Sequence, residues 1–171
     1  MPQKKTIQRA RKDKREGKSP STQAGEFVRE TIEDIRKGKH GARSTKQAIA
    51  IGLSKARRAG VKLPPPKRGK APKETIEHAE RDYRKGQSHA KKKPNPRRSR
   101  ATTQALQREG HSAASKSELS KQATQAARRR NPEERREAAR KAAKTRMAHQ
   151  THAERSAIAR KAARTRKARA E

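Results

Sequence analysis

The side chains able to do chemistry in this 171-residue chain are overwhelmingly cations: fifty Lys and Arg stand against seventeen Asp and Glu, a formal net charge of +33 at pH 7. Their most ordered arrangement is a repeat near the end. Glu134, Arg135, Ala139, Arg140, Lys141, Ala142, Ala143, Thr145 and Arg146 recur identically twenty positions later, from Glu154 to Arg166. A guanidinium is permanently charged and carries a planar fork of donors that fits phosphate oxygens. The chemistry implied is therefore phosphate contact by Arg135, Arg140, Lys141, Lys144 and Arg146 in one copy and Arg155, Arg160, Lys161, Arg164 and Arg166 in the other. Arg128, Arg129 and Arg130 precede the repeat, and Lys55, Arg57 and Arg58 form a further basic cluster upstream. Ala139, Ala142, Ala143 and their equivalents leave a narrow face that lets backbone approach phosphate closely. A merely solvated charged tail would use the same residues, since a large net charge also keeps a chain soluble.

Other chemistries find little support. His149 and His152 stand at i, i+3, a metal-binding spacing on a helix, but the helix break expected at Thr151 and the surrounding cations oppose a metal. Glu133 and Glu134 fall at a helix start, where carboxylates complement the dipole; that is capping, not acid–base catalysis. With no cysteine, disulfides and Cys-based metal sites are excluded. A phosphate-cradling glycine loop and a nucleophile motif are both missing, so the expectation is no enzyme and no cofactor. Sequence-specific reading is not expected either, because Phe27 and Tyr83 are the only aromatics and zinc-finger spacing needs cysteine. The longest apolar run, Ala48 to Leu53, is far short of the roughly 20 residues that span a bilayer. No secretory h-region follows the basic N-terminus. The expected partner is nucleic acid, DNA ahead of RNA, in the cytoplasm or nucleoid and not at a membrane.

The elements that would position these cations follow from local patterns. Only fourteen residues are Ile, Leu, Val or Phe, well below the roughly 20% share under which disorder becomes the expectation. Four regions separate: a basic arm over 1–18, an apolar-rich segment over 19–63, a Pro-rich basic linker over 64–100 and an Ala/Arg/Lys-rich region over 101–171. In 19–63, Ser19-Pro20 starts a helix, and Ala24, Phe27, Val28, Thr31, Ile32 and Ile35 make one stripe. Gly38 ends it. Ser44 with Gln47 caps a second helix, in which Ile49, Gly52, Leu53 and Ala56 share a face, and Gly60 follows its end. Val61 and Leu63 should fold back on its last turn. Acids on the first helix (Glu26, Glu30, Glu33, Asp34) could complement Lys46, Lys55, Arg57 and Arg58 on the second. Beyond Pro64-Pro65-Pro66, Glu74-Thr75-Ile76-Glu77 faintly echoes Glu30-Thr31-Ile32-Glu33. Capping boxes at Ser115/Glu118, Asn131/Glu134 and Thr151/Glu154 predict three more helices with almost nothing to bury. The expected fold class is all-α: a small two-helix hairpin, then a largely disordered basic region whose capped helices form on binding. The hairpin itself could dock a protein or self-associate.

Residues 4–66, above all Gly17 to Pro66, resemble a group of small, strongly basic bacterial proteins with a domain of unknown function, sometimes labelled plasmid-stabilisation or DNA-binding proteins. The C-terminal half is similar to the Lys/Arg/Ala-rich tails of bacterial linker-histone-like proteins. The resemblance implies DNA association, in a nucleoid or plasmid-stabilisation setting, with RNA or ribosome binding as the alternative. It supplies no catalytic or ligand residues.

Overall fold

The chain's helix boundaries are written in its caps. A computed structural model describes the backbone of residues 2–88 and 95–170, with their side chains except at 149, 169 and 170. Ser19 accepts a hydrogen bond from the backbone N–H of Thr22 and opens α2 (Pro20–Arg36). Ser44 does the same from Gln47 at the start of α3 (Thr45–Arg58), while the Gln47 side chain reaches back to the N–H of Arg43. Gly38 and Gly60, at φ of +71° and +90°, close these helices in the left-handed conformation. After each, the next N–H folds back on the helix: Lys39 donates to the carbonyl of Asp34 and Val61 to that of Ala56, both about 3 Å away.

Among the described residues the chain is all-α. It is more than a hairpin. The 1–18 arm is α1 (Lys4–Arg15), which buries Thr6 and Ala10 and packs on α2. The expected Pro-rich linker contains α4 (Lys73–Gln87), which packs on α3 and buries Ala79 and Asp82. Then come α5 (Pro96–Gln107), a single 3-10 turn at Ser112–Ala114, α6 (Lys116–Arg128), α7 (Pro132–His149) and α8 (His152–Ala170). The expectation of a largely disordered basic region is thus corrected: the described part of 101–171 is mostly helical, as its caps and alanine content favour. Two compact units result, Met1–Gln122 and Ala123–Glu171.

In the first unit α2 and α3 run antiparallel: Val28 meets Gly52, Phe27 clusters with Ala56, and Ile35 with Ala48. Sequence periodicity places Ile49 and Leu53 at the centre of the α3 face. The structure buries Gly52 and Ala56 of the expected face, but with Thr45 and Ala48 and not with Ile49 and Leu53, which are half-buried. The reason is distance. A β-carbon on Gly52 would stand 2.5 Å from Cα of Val28 and 2.9 Å from its nitrogen, so the helix backbones meet where only small residues fit. Two clusters form around this contact. One joins Ala10, Ala24, Phe27, Ala56 and Val61, with Ile7, Leu53 and Leu63 against it. The other joins Ile32, Ile35, Ala42 and Ala48 to Ala113 and Ala114.

Gly52→Ala should therefore destabilise the first unit by about 1–3 kcal/mol, the usual cost of overpacking, although in an open helix the same change stabilises by about 1 kcal/mol. Gly25→Ala, on the exposed side of α2 with nothing within 4 Å, should show that opposite sign. Thermal melts of the two variants followed by circular dichroism check both; equal shifts in the same direction would contradict the close approach. Phe27→Ala, at a side chain 1% exposed, should cost the most, toward the roughly 3–5 kcal/mol typical of a buried ring.

Candidate nucleic-acid interface

Acids determine which cations remain available. In the first unit three of them, Glu30, Asp34 and Asp82, lie between helices. Glu30 and Asp34 on α2 are buried, and the Glu30 carboxylate accepts the backbone N–H of Gln3 at 3.2 Å, at the start of α1. Lys55 of α3 sits 3.7 Å from Glu30 and 3.8 Å from Asp34. Lys39 donates to Asp34 at 2.7 Å, a bond that raises the lysine's pKa. Asp82 of α4 accepts from the Ser54 hydroxyl at 2.6 Å and from Arg58 Nε at 2.7 Å, tying α4 to α3.

The upstream cluster of candidate phosphate contacts is thus occupied within the fold. Lys55 bridges the α2 acids, and Arg58 is paired with Asp82 although its side chain is 62% exposed. Arg57 is buried, donating to the carbonyls of Leu63 and Pro64 at 3.3 Å each. Burial pushes its guanidinium below its ordinary pKa, against the opposing charge of Asp82. These three cations anchor α3, α4 and the start of the proline run. The expected α2–α3 charge complementarity is met by Lys55 alone: Glu26 lies 3.7 Å from Arg9 of α1, and Glu33 pairs with Arg29 of its own helix.

The second unit has a different balance: sixteen Lys and Arg against five acids over 123–171. The acids within α7 and α8 lie at the helix starts or, for Glu137, beside a lysine. Asn131 and Glu134 close a full capping box on α7, with bonds of 2.7 and 3.3 Å. On α8 the Glu154 carboxylate accepts from the N–H and hydroxyl of Thr151 at 2.8 and 3.0 Å. Glu137 pairs with Lys141 at 2.6 Å. In the second copy Ala157 stands where Glu137 stood, which leaves Lys161 without that acid. Arg155 is not turned outward; its guanidinium donates to the carbonyls of Gln150 at 2.7 Å and Met147 at 3.3 Å, closing the end of α7.

The remaining candidates, Arg135, Arg140, Lys144 and Arg146 on α7 and Arg160, Lys161, Arg164 and Arg166 on α8, are exposed, as are Arg128, Arg129 and Arg130. Spacing extends the set. Arg136, Arg140 and Lys144 stand at i, i+4 and i+8, one cation per roughly 6 Å of helix rise. Arg136 and Lys167 are exposed cations that the twenty-residue repeat does not include, because neither recurs at that period. The i, i+4 spacing is the signal that finds Arg136. Ala139, Ala142 and Ala143 are exposed; no large side chain stands there to keep a ligand from the backbone. The described residues contain no group of three or more His, Asp or Glu placed to hold a metal ion; the side chain of His149 lies outside the described residues.

The Thr151 backbone N–H, and then its hydroxyl, hold the Glu154 carboxyl below the usual carboxylate range. The folded cap therefore binds a proton less readily than the free side chain. Its stabilisation is full above the ordinary carboxylate pKa of about 4.3 and is lost as pH falls through the lowered folded value. Carbon chemical shifts of residues 152–156 should move toward coil between about pH 5 and 3, and Glu154→Ala should show the acid-like shifts already at neutral pH. A wild-type profile that stays flat through that acid range would contradict the cap.

Residues 4–68, from α1 to just past the proline run, match the model of a family of unknown function, DUF6496. Neither a curated protein nor a solved structure matches the chain. The match ends before α4, so the exposed cation helices α7 and α8 lie outside it.

Proposed function

We propose that this protein binds nucleic acid through phosphate contacts, without reading sequence, and that α7 and α8 are its principal binding surface. One observation carries the reading. Both helices expose cations at one-turn spacings beside alanine, with acids used in the caps and in the Glu137–Lys141 pair. Apolar burial does not account for these helices: almost every described side chain on them is exposed or half-exposed. Neutralising phosphate and releasing its counterions supplies a driving force that needs neither a pocket nor an apolar face.

Duplex DNA is the favoured ligand. A helix of eighteen residues is about 27 Å long, and the B-form major groove is about 12 Å wide, enough to admit it. The deep, narrow major groove of A-form RNA does not offer a helix that fit. No helix of the described residues is long and apolar enough to cross a membrane, and the alanine faces offer little area to a lipid surface. The role that follows is binding rather than turnover: charge neutralisation, compaction or protection of DNA, as in a nucleoid-associated protein.

Fluorescence anisotropy with matched duplexes tests this. Log affinity should fall linearly with log salt, by about 0.9 per phosphate neutralised, with little difference among random sequences. Replacing Arg140, Lys144, Arg160 and Arg164 by Gln should flatten the slope by about 0.9 for each phosphate no longer neutralised while the first unit still melts normally. An unchanged slope, a strong preference for one sequence, or tighter binding to duplex RNA than to duplex DNA would each count against the proposal.

A further inference from the structure

The second apolar cluster of the α2–α3 pair is completed by residues far away in sequence. Ala113 and Ala114 are buried against Ile32, Ile35, Ala42 and Ala48. Beside an ion pair of Arg43 with Glu109 at 3.4 Å, four bonds to backbone carbonyls hold the same segment. The N–H of Gly41 donates to the carbonyl of Leu106 at 2.7 Å, and that of Ala42 to Gly110 at 3.0 Å. The Thr45 hydroxyl donates to the carbonyl of Ala113 at 2.7 Å, and Arg36 Nε to that of Ala114 at 2.8 Å. Each donor belongs to α2, α3 or the loop between them, and each acceptor is a backbone carbonyl of the docked segment. Such a site recognises a turn of small residues by its methyl groups and carbonyls. Gly41 completes the fit, since a β-carbon there would overlap the carbonyl of Glu109.

Site and occupant come from different stretches of the chain. The groove lies wholly within the region that matches the family model, residues 4–68, and the docked segment lies outside it. The segment is tethered through α5, in which no residue is buried. We infer that the α2–α3 face is a peptide-binding groove for a small-residue turn, filled by the chain's own Leu106–Leu119 and able to take the same segment from a second copy. Docking from a second copy makes identical contacts. It differs from self-docking only in tether entropy and in the repulsion between two strongly positive chains, which salt screens.

Two full-length variants divide the two halves of this contact. Ala114→Glu puts a charge where the turn should be buried and frees its groove. Gly41→Val blocks the groove and frees its segment, at a position whose φ is not in the left-handed region. Light scattering in about 0.5 M salt, where the screening length falls between the roughly 8 Å and 3 Å of physiological and molar salt, should find each variant alone at the 19.2 kDa mass of one chain. Their equimolar mixture should form a one-to-one pair, and adding Thr45→Val to the Ala114→Glu chain should weaken that pairing. A mixture that stays at the mass of one chain overturns the inference. So does loss of cooperative melting in Ala114→Glu, which would make the segment an inseparable part of the core.

Discussion

Seventeen acids cannot neutralise fifty cations, and where those acids fall decides where this chain packs and where it stays open. An unpaired buried charge is strongly destabilising, so a basic chain folds compactly where carboxylates or carbonyls are placed to meet its inward-facing cations. Glu30, Asp34 and Asp82 meet that need between helices. Together they hold the start of α1, the α2–α3 loop through Lys39, the last turn of α3 through Lys55 and the α3–α4 contact through Arg58. Past residue 122 the acids serve mostly as caps. The helices there form, but their cations have few carboxylates to turn toward.

The second constraint is thinness. With so few branched side chains, the first unit brings backbones together instead of filling space between them. Gly52 against Val28 sets the α2–α3 separation, and Gly86 lies so close to the Arg57 carbonyl that it too leaves no room for a side chain. At such distances alanine and threonine make the contacts that leucine and isoleucine make in a larger core. Arg57 fits the same logic: its long side chain is buried and its fork satisfies two carbonyls at the turn after α3.

What is legible in the sequence is local. Ser19, Ser44, Ser115, Asn131 and Thr151 start helices through bonds to residues three positions on, and glycines 38 and 60 end them through backbone conformation; both kinds of signal act within a few positions. The α2 stripe is legible for the same reason. Tertiary choice is not. Periodicity ranks faces by bulk, so it favours Ile49 and Leu53 over Ala48, and it cannot show that Ala113 and Ala114 belong to the α2 core. Nor can composition separate a docked α1 from a free basic arm, because Thr6 and Ala10 carry no strong apolar signal. Arg57 and Arg155 have the residue type and setting of phosphate contacts, and only the fold reveals the carbonyls that occupy them. The exposed cations of α7 and α8 are legible because nothing in the fold competes for most of them.

The most direct measurement of this division is an amide chemical-shift map of the nitrogen-labelled chain titrated with a short DNA duplex. The largest shifts should fall on residues 128–168, while the amides around Glu30, Gly52 and Asp82 hardly move. Shifts concentrated on residues 20–58, with α7 and α8 unperturbed, would contradict it and make the α2–α3 pair the reader of the nucleic acid.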